Sequence, residues 1–161
     1  MSKTLYHLEL ICNLNERLFI NALAGVSDEQ AKKRISEHNN PLNWLAVHTT
    51  WARYNMAGIL GKAGKNPYTG MFEGFKPFED SMKFDSIEKV KEEWKKASAL
   101  LKEGFASVSA EHLAAPAPFK SPAGDQTIAG AMAFLAQHES YDIGQMALLK
   151  KFLTKEAMSY S

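Results

Sequence analysis

One cysteine, Cys12, stands in 161 residues, so no intramolecular disulfide framework holds the fold. Set among apolar residues, Cys12 reads as a buried structural thiol rather than a nucleophile. Neither sign of charge is in surplus: 19 Lys and Arg face 18 Asp and Glu, a net charge of +1. A nucleic-acid binder shows a basic excess or a basic face, so no nucleic-acid partner is expected. No apolar run approaches the roughly 20 residues of a membrane span. The opening M-S-K-T-L-Y-H-L-E-L lacks the uninterrupted apolar core of a signal peptide. A soluble, cytoplasmic protein with no membrane partner is the expectation. No strand-like alternation, internal repeat or low-complexity tract is evident. One domain over residues 1–161 is expected, long enough to bury about 70 % of its unfolded surface without staples.

What is present is helical spacing, four times over. Residues 4–23 place Leu5, Leu8, Cys12, Leu18, Phe19 and Ala22 on one face, with Lys3, Asn13 and Glu16 opposite, and Gly25 as a stop. Ser27 to Gln30 fits a capping box opening a short helix that runs to Ile35. Asn40 as N-cap and Pro41 at the first helical position open the second long helix, which closes near Leu60 and Gly61. Trp44, Leu45, His48, Trp51, Ala52 and Asn55 share a face of it. A capping box over Asp85, Ser86, Ile87 and Glu88 opens the third, with a buried stripe of Ile87, Val90, Trp94, Ala97, Leu101 and Phe105. Its E-K-V-K-E-E-W-K-K segment pairs Lys89 with Glu93 and Glu92 with Lys96 as a solvated face. Thr127 caps the fourth, whose stripe reads Phe134, Leu135, His138, Asp142, Leu149 and Phe152.

Residues 61–84 show neither period and mix glycines and prolines with Tyr68, Phe72, Phe75, Phe78 and Phe84. Long structureless connections are usually crossovers or site lids. About twenty extended residues span some 65 Å, against about 30 Å for a helix of that length, so the second and third helices can run parallel. The aromatics imply that the loop packs down. Residues 109–126 form a second irregular loop with a short turn at 109–113 and room for a small hairpin. The architecture expected is all-α, a four-helix bundle, in which sites are built from side chains on facing helices.

Of five histidines, His7, His38 and His112 read as surface or packing residues. His48 and His138 lie on buried stripes, and Asp142 stands one turn beyond His138 on the same face. Two imidazoles and one carboxylate form a minimal divalent-metal site with open coordination positions. Gln145, one turn further, either orients a metal-bound water or ligand or bonds between helices. Trp44 and Tyr141 are packing residues or walls for a bound cofactor. The segment H-E-S-Y-D also approaches the zincin pattern H-E-x-x-H, in which Glu139 would be the general base. The missing second histidine counts against that reading.

The segments N-P-L-N-W-L-A-V-H, ending at His48, and H-E-S-Y-D-I-G-Q, from His138 to Gln145, resemble those of the DinB/YfiT-like metalloenzyme superfamily. The resemblance covers length, helix order and the long connection between helices two and three. It implies a four-helix bundle with a long crossover, often a homodimer, holding Zn, Ni, Fe or Mn on three histidines at one end. Some members are metal-dependent S-transferases or isomerases using low-molecular-weight thiols such as bacillithiol or mycothiol. His48 matches the first ligand and His138 the second, while Asp142 stands where the third histidine is expected. A carboxylate there still ligates, lowers the charge of the site by one and favours harder ions such as Mn or Fe(II). It also makes a metal-bound water less acidic, and in a metal-free site it would simply accept hydrogen bonds. The resemblance therefore implies a transferase or isomerase joining an exogenous thiol to a small electrophilic substrate. The other reading is a non-catalytic dimeric bundle with a degenerate metal site that binds a ligand or partner.

Overall fold

Helical spacing is realised as four long helices and two short ones. The computed structural model describes residues 5–74 and 76–161. They are α1 (Tyr6–Leu23), α2 (Asp28–Ala31), α3 (Leu42–Ile59), α4 (Ile87–Ser107), α5 (Ala110–Ala114) and α6 (Ile128–Thr154). Lys3 and Thr4, placed at the start of the first helix, and Phe75 of the long loop lie outside the described residues. Among the described residues the only β pairing is one bridge between Pro116 and Thr127, all that forms of the small hairpin. Among the described residues no helix is long and apolar enough to cross a membrane.

The long helices pack in the ring order α1, α6, α3, α4. Helices α3 and α4 run parallel: the Tyr54 hydroxyl donates to Glu93 Oε2 at 2.8 Å, and Leu60 lies against Gly104 further along both. A Cβ at Gly104 would sit 2.8 Å from that of Leu60, so this close approach requires glycine. Helices α1 and α6 are the other parallel pair, joined by Asn15 to Glu139 and by Lys150 Nζ to the Ala24 carbonyl. Helices α3 and α6 are antiparallel, since His48 faces Asp142 and Arg53 faces Glu139. Connecting the parallel α3 and α4 takes the long crossover. Its Tyr68 and Phe72 are buried in the core, and the Tyr68 hydroxyl donates to Asp85.

The core divides into two apolar clusters. One gathers Phe19, Trp44, Val90, Trp94, Ile143 and Met146. The other gathers Cys12, Met56, Leu101, Phe105, Met132 and Ala136. Between them lies a polar layer of Asn15, Arg53 and Glu139, all buried. Arg53 Nη1 donates to Glu139 Oε1 at 2.8 Å and Nη2 to the Cys12 carbonyl at 2.7 Å. The guanidinium lies 4.1 Å from the ring of Trp94, which stacks on Phe19. Asn15 Nδ2 donates to Glu139 Oε1 and to Ser140 Oγ.

Several local expectations are corrected. The short helix forms its capping box at Ser27 and Gln30 but stops at Ala31, short of Ile35. Arg34 then bonds the carbonyls of Glu37 and Asn39, which turns the chain. Pro41 is the N-cap of α3 rather than its first residue, so Asn40 falls outside the cap. Ser86 caps α4 by accepting from Lys89 N, but the third helical residue is that lysine, so no capping box closes. Lys96 pairs with Glu93 instead of Glu92, and Glu93 is buried beneath Tyr54, so the charged face is not wholly solvated. Asn55 and Phe152 are exposed. The buried row of α6 runs through Met132, Ala136, Glu139, Ile143, Met146 and Lys150, with His138 at its edge.

Candidate metal centre

The antiparallel packing of α3 on α6 brings His48, His138 and Asp142 together. One ligand atom from each lies within 4.8 Å of the others, the one such cluster of three among the described residues. His48 Nδ1 is 3.1 Å and His138 Nε2 is 3.4 Å from the same oxygen, Asp142 Oδ2. Ligands about 2.1 Å from a common ion sit roughly 3.0–3.4 Å apart in octahedral or tetrahedral geometry. Both nitrogen-to-oxygen distances fall in that range, and two imidazoles with a carboxylate fit a small divalent ion in kind. Asp142 is the deep member at 4 % side-chain exposure, with His48 at 16 % and His138 at 34 %. The site opens on the His138 side.

The ligands are held by neighbours. Thr49, whose hydroxyl donates to the Leu45 carbonyl, also lies 3.4 Å from Asp142 Oδ2. Gln145 Nε2 reaches Asp142 Oδ1 at 3.5 Å, within the same helix. Trp44 stacks on the His48 imidazole, with centroids 4.8 Å apart and planes 12° from parallel. Phe72 meets that imidazole edge-on at 5.1 Å, so the crossover loop forms a wall of the site. Tyr141 is 61 % exposed on the outside of α6, and no hydrogen bond or ring contact joins it to the triad. His7, His38 and His112 are exposed, and His112 Nε2 bonds the Ile59 carbonyl.

Glu139 does not face the triad. It is 1 % exposed and held by Arg53 and Asn15 in the polar layer, so a zincin-type general base is excluded. Burial pushes its carboxyl above the ordinary range, Arg53 and Asn15 pull it back, and nearby Asp142 adds to the rise. Burial also pushes the Cys12 thiol up to about 12, which makes it inert as a nucleophile. Reasoning from spacing overlooked Arg53, Asn15 and Glu139 as buried groups. One signal was present: Glu139 stands at helical spacing between apolar Met132 and Ala136 on one side and Ile143 and Met146 on the other.

A model of the DinB superfamily matches residues 13–146. The crystal structure of a conserved protein from Enterococcus faecalis has the same fold, with a TM-score of 0.73 over 97 % of this chain and 100 % of that one. The two are 13 % identical, so the likeness is one of fold. No curated protein matches the sequence. The family match runs from α1 through His48, His138 and Asp142. This chain belongs to the DinB superfamily.

Proposed function

We propose that the protein holds a divalent metal on His48, His138 and Asp142 and is a metal-dependent transferase or isomerase. It would act with a low-molecular-weight thiol on a small electrophile. What supports the metal reading is the convergence of two imidazole nitrogens on one buried carboxylate oxygen at ligand-to-ligand spacing. A thiol coordinated to such an ion loses its proton and becomes a nucleophile at neutral pH. Gln145 and Thr49 orient the Asp142 carboxylate, and Trp44 with Phe72 fixes the plane of His48. His138 borders the open side, where the co-substrates enter. The chain's one cysteine is buried in the other core cluster, so the thiol comes from outside. Exposed Leu10, Ile11 and Leu14 on α1 and Leu148 and Phe152 on α6 support a homodimer.

The test is thermal unfolding with Zn, Ni, Mn and Fe(II) under anaerobic conditions. A ligand at a hundredfold its Kd adds about 2.7 kcal/mol, which raises Tm by roughly 5–11 °C in a chain of this size. At least one ion should produce that shift, and His48→Ala should abolish it. Light scattering on the same samples should give twice the chain mass. Superimposable melting curves with every ion would leave the triad as a hydrogen-bonded cluster and favour the non-catalytic bundle. A single-chain mass would remove the dimer.

A further inference from the structure

The open side of the triad is rimmed by rings from four segments. Helices α3 and α6 are antiparallel, so the turn after His48 and the turn before His138 lead away from the triad in the same direction. Trp51 occupies the first position, 5.7 Å from the His48 ring, and Phe134 the second, 5.8 Å from the His138 ring. Phe72 of the crossover meets Trp51 at 5.5 Å, and Phe119 of the second loop meets Phe134 at 6.1 Å. Trp51, Phe119 and Phe134 are each only partly buried, so apolar ring surface remains exposed beside the two histidines. A carboxylate touches this rim. Glu73 accepts from Trp51 Nε1, and backbone N–H groups led by that of Gly70 hold its carboxyl below the ordinary range. No Lys or Arg among the described residues pairs with the triad or with Glu73.

We infer that the ring-lined rim beside His48 and His138 receives an uncharged aromatic group from the molecule bound at the triad, and that it discriminates against a carboxylate in that place. The inference rests on the metal-binding reading above. Half-buried rings favour stacked or edge-on contact with another ring, and that contact removes their exposed apolar surface from water. An anion there would meet Glu73, with which no Lys or Arg among the described residues is ion-paired. Lys120, the exposed neighbour of Phe119, and Lys76, whose Nζ donates to the Gly70 carbonyl, are the cations placed to oppose this, and an anionic probe tests it.

The experiment is calorimetric titration of metal-loaded protein with acetohydroxamate, benzohydroxamate and 4-carboxybenzohydroxamate, which present the same chelating head. Affinities are normalised to those of the free ion for the same probes. Benzohydroxamate should bind at least tenfold tighter than acetohydroxamate, and the carboxylated probe weaker than benzohydroxamate. Phe134→Ala and Phe119→Ala should each lower the benzo-to-aceto ratio. The wild-type comparison alone decides the outcome if a variant fails to fold. A ratio near one, or tightest binding by the carboxylated probe, overturns the inference while the metal reading stands. Protein that retains no metal and binds no hydroxamate overturns both.

Discussion

Replacing Arg53 by Met is expected to destabilise the fold by about 3–5 kcal/mol, the usual cost of removing one partner of a buried ion pair. Arg53 and Glu139 are each 1 % exposed and meet at 2.8 Å between α3 and α6. Without the guanidinium, Glu139 would keep only Asn15 as donor, deep in the bundle. Methionine preserves much of the volume and the contact with Trp94, so the loss reports charge rather than a cavity. The double variant Arg53→Met with Glu139→Leu should recover most of the stability, because two well-packed apolar residues remove both desolvation penalties. Urea unfolding of the two variants measures this directly. A single variant within about 1 kcal/mol of the parent would contradict the role assigned to the polar layer.

The second large effect is expected at Asp142. Asp142→Ala should weaken the preferred ion by at least about 100-fold, since it removes the ligand on which both histidines converge; even outer partners of metal ligands are worth about 10–100-fold. Asp142→His should keep metal binding and move preference from Mn and Fe(II) towards Zn, as a neutral imidazole replaces a hard, charged oxygen. Competition against a chelator, run for Zn and Mn on each variant, gives the ratios. Wild-type affinity in Asp142→Ala would place the ion elsewhere. Unchanged Zn-to-Mn preference in Asp142→His would remove the carboxylate's part in selecting the ion.

Much of this was legible in residue spacing. The stripe Ile87, Val90, Trp94, Ala97, Leu101 and Phe105 is buried throughout, as its helical spacing requires. The crossover length allowed α3 and α4 to be parallel, and its aromatics implied a loop packed into the core. The triad was readable because its members sit at one-turn spacing on α6 and on an aromatic face of α3. The rest depends on partners distant in the chain. Arg53 and Glu139 are 86 residues apart, and Asn15 and Glu139 are 124 apart. A charged residue inside a helix reads as exposed until its counterion is known. For that reason the buried row of α6 was read through Phe134 and Phe152, not through Glu139 and Lys150. Phe72 was named as a loop aromatic, but a segment without a period carries no information about which ring meets His48.

The most direct measurement is bound metal by elemental analysis, on untagged protein reconstituted anaerobically and desalted, with His138→Ala treated identically. The account predicts about one divalent ion per chain, as three convergent ligands make one site, and loss of that ion in the variant. Equal metal in the two proteins, or none in either, would contradict it.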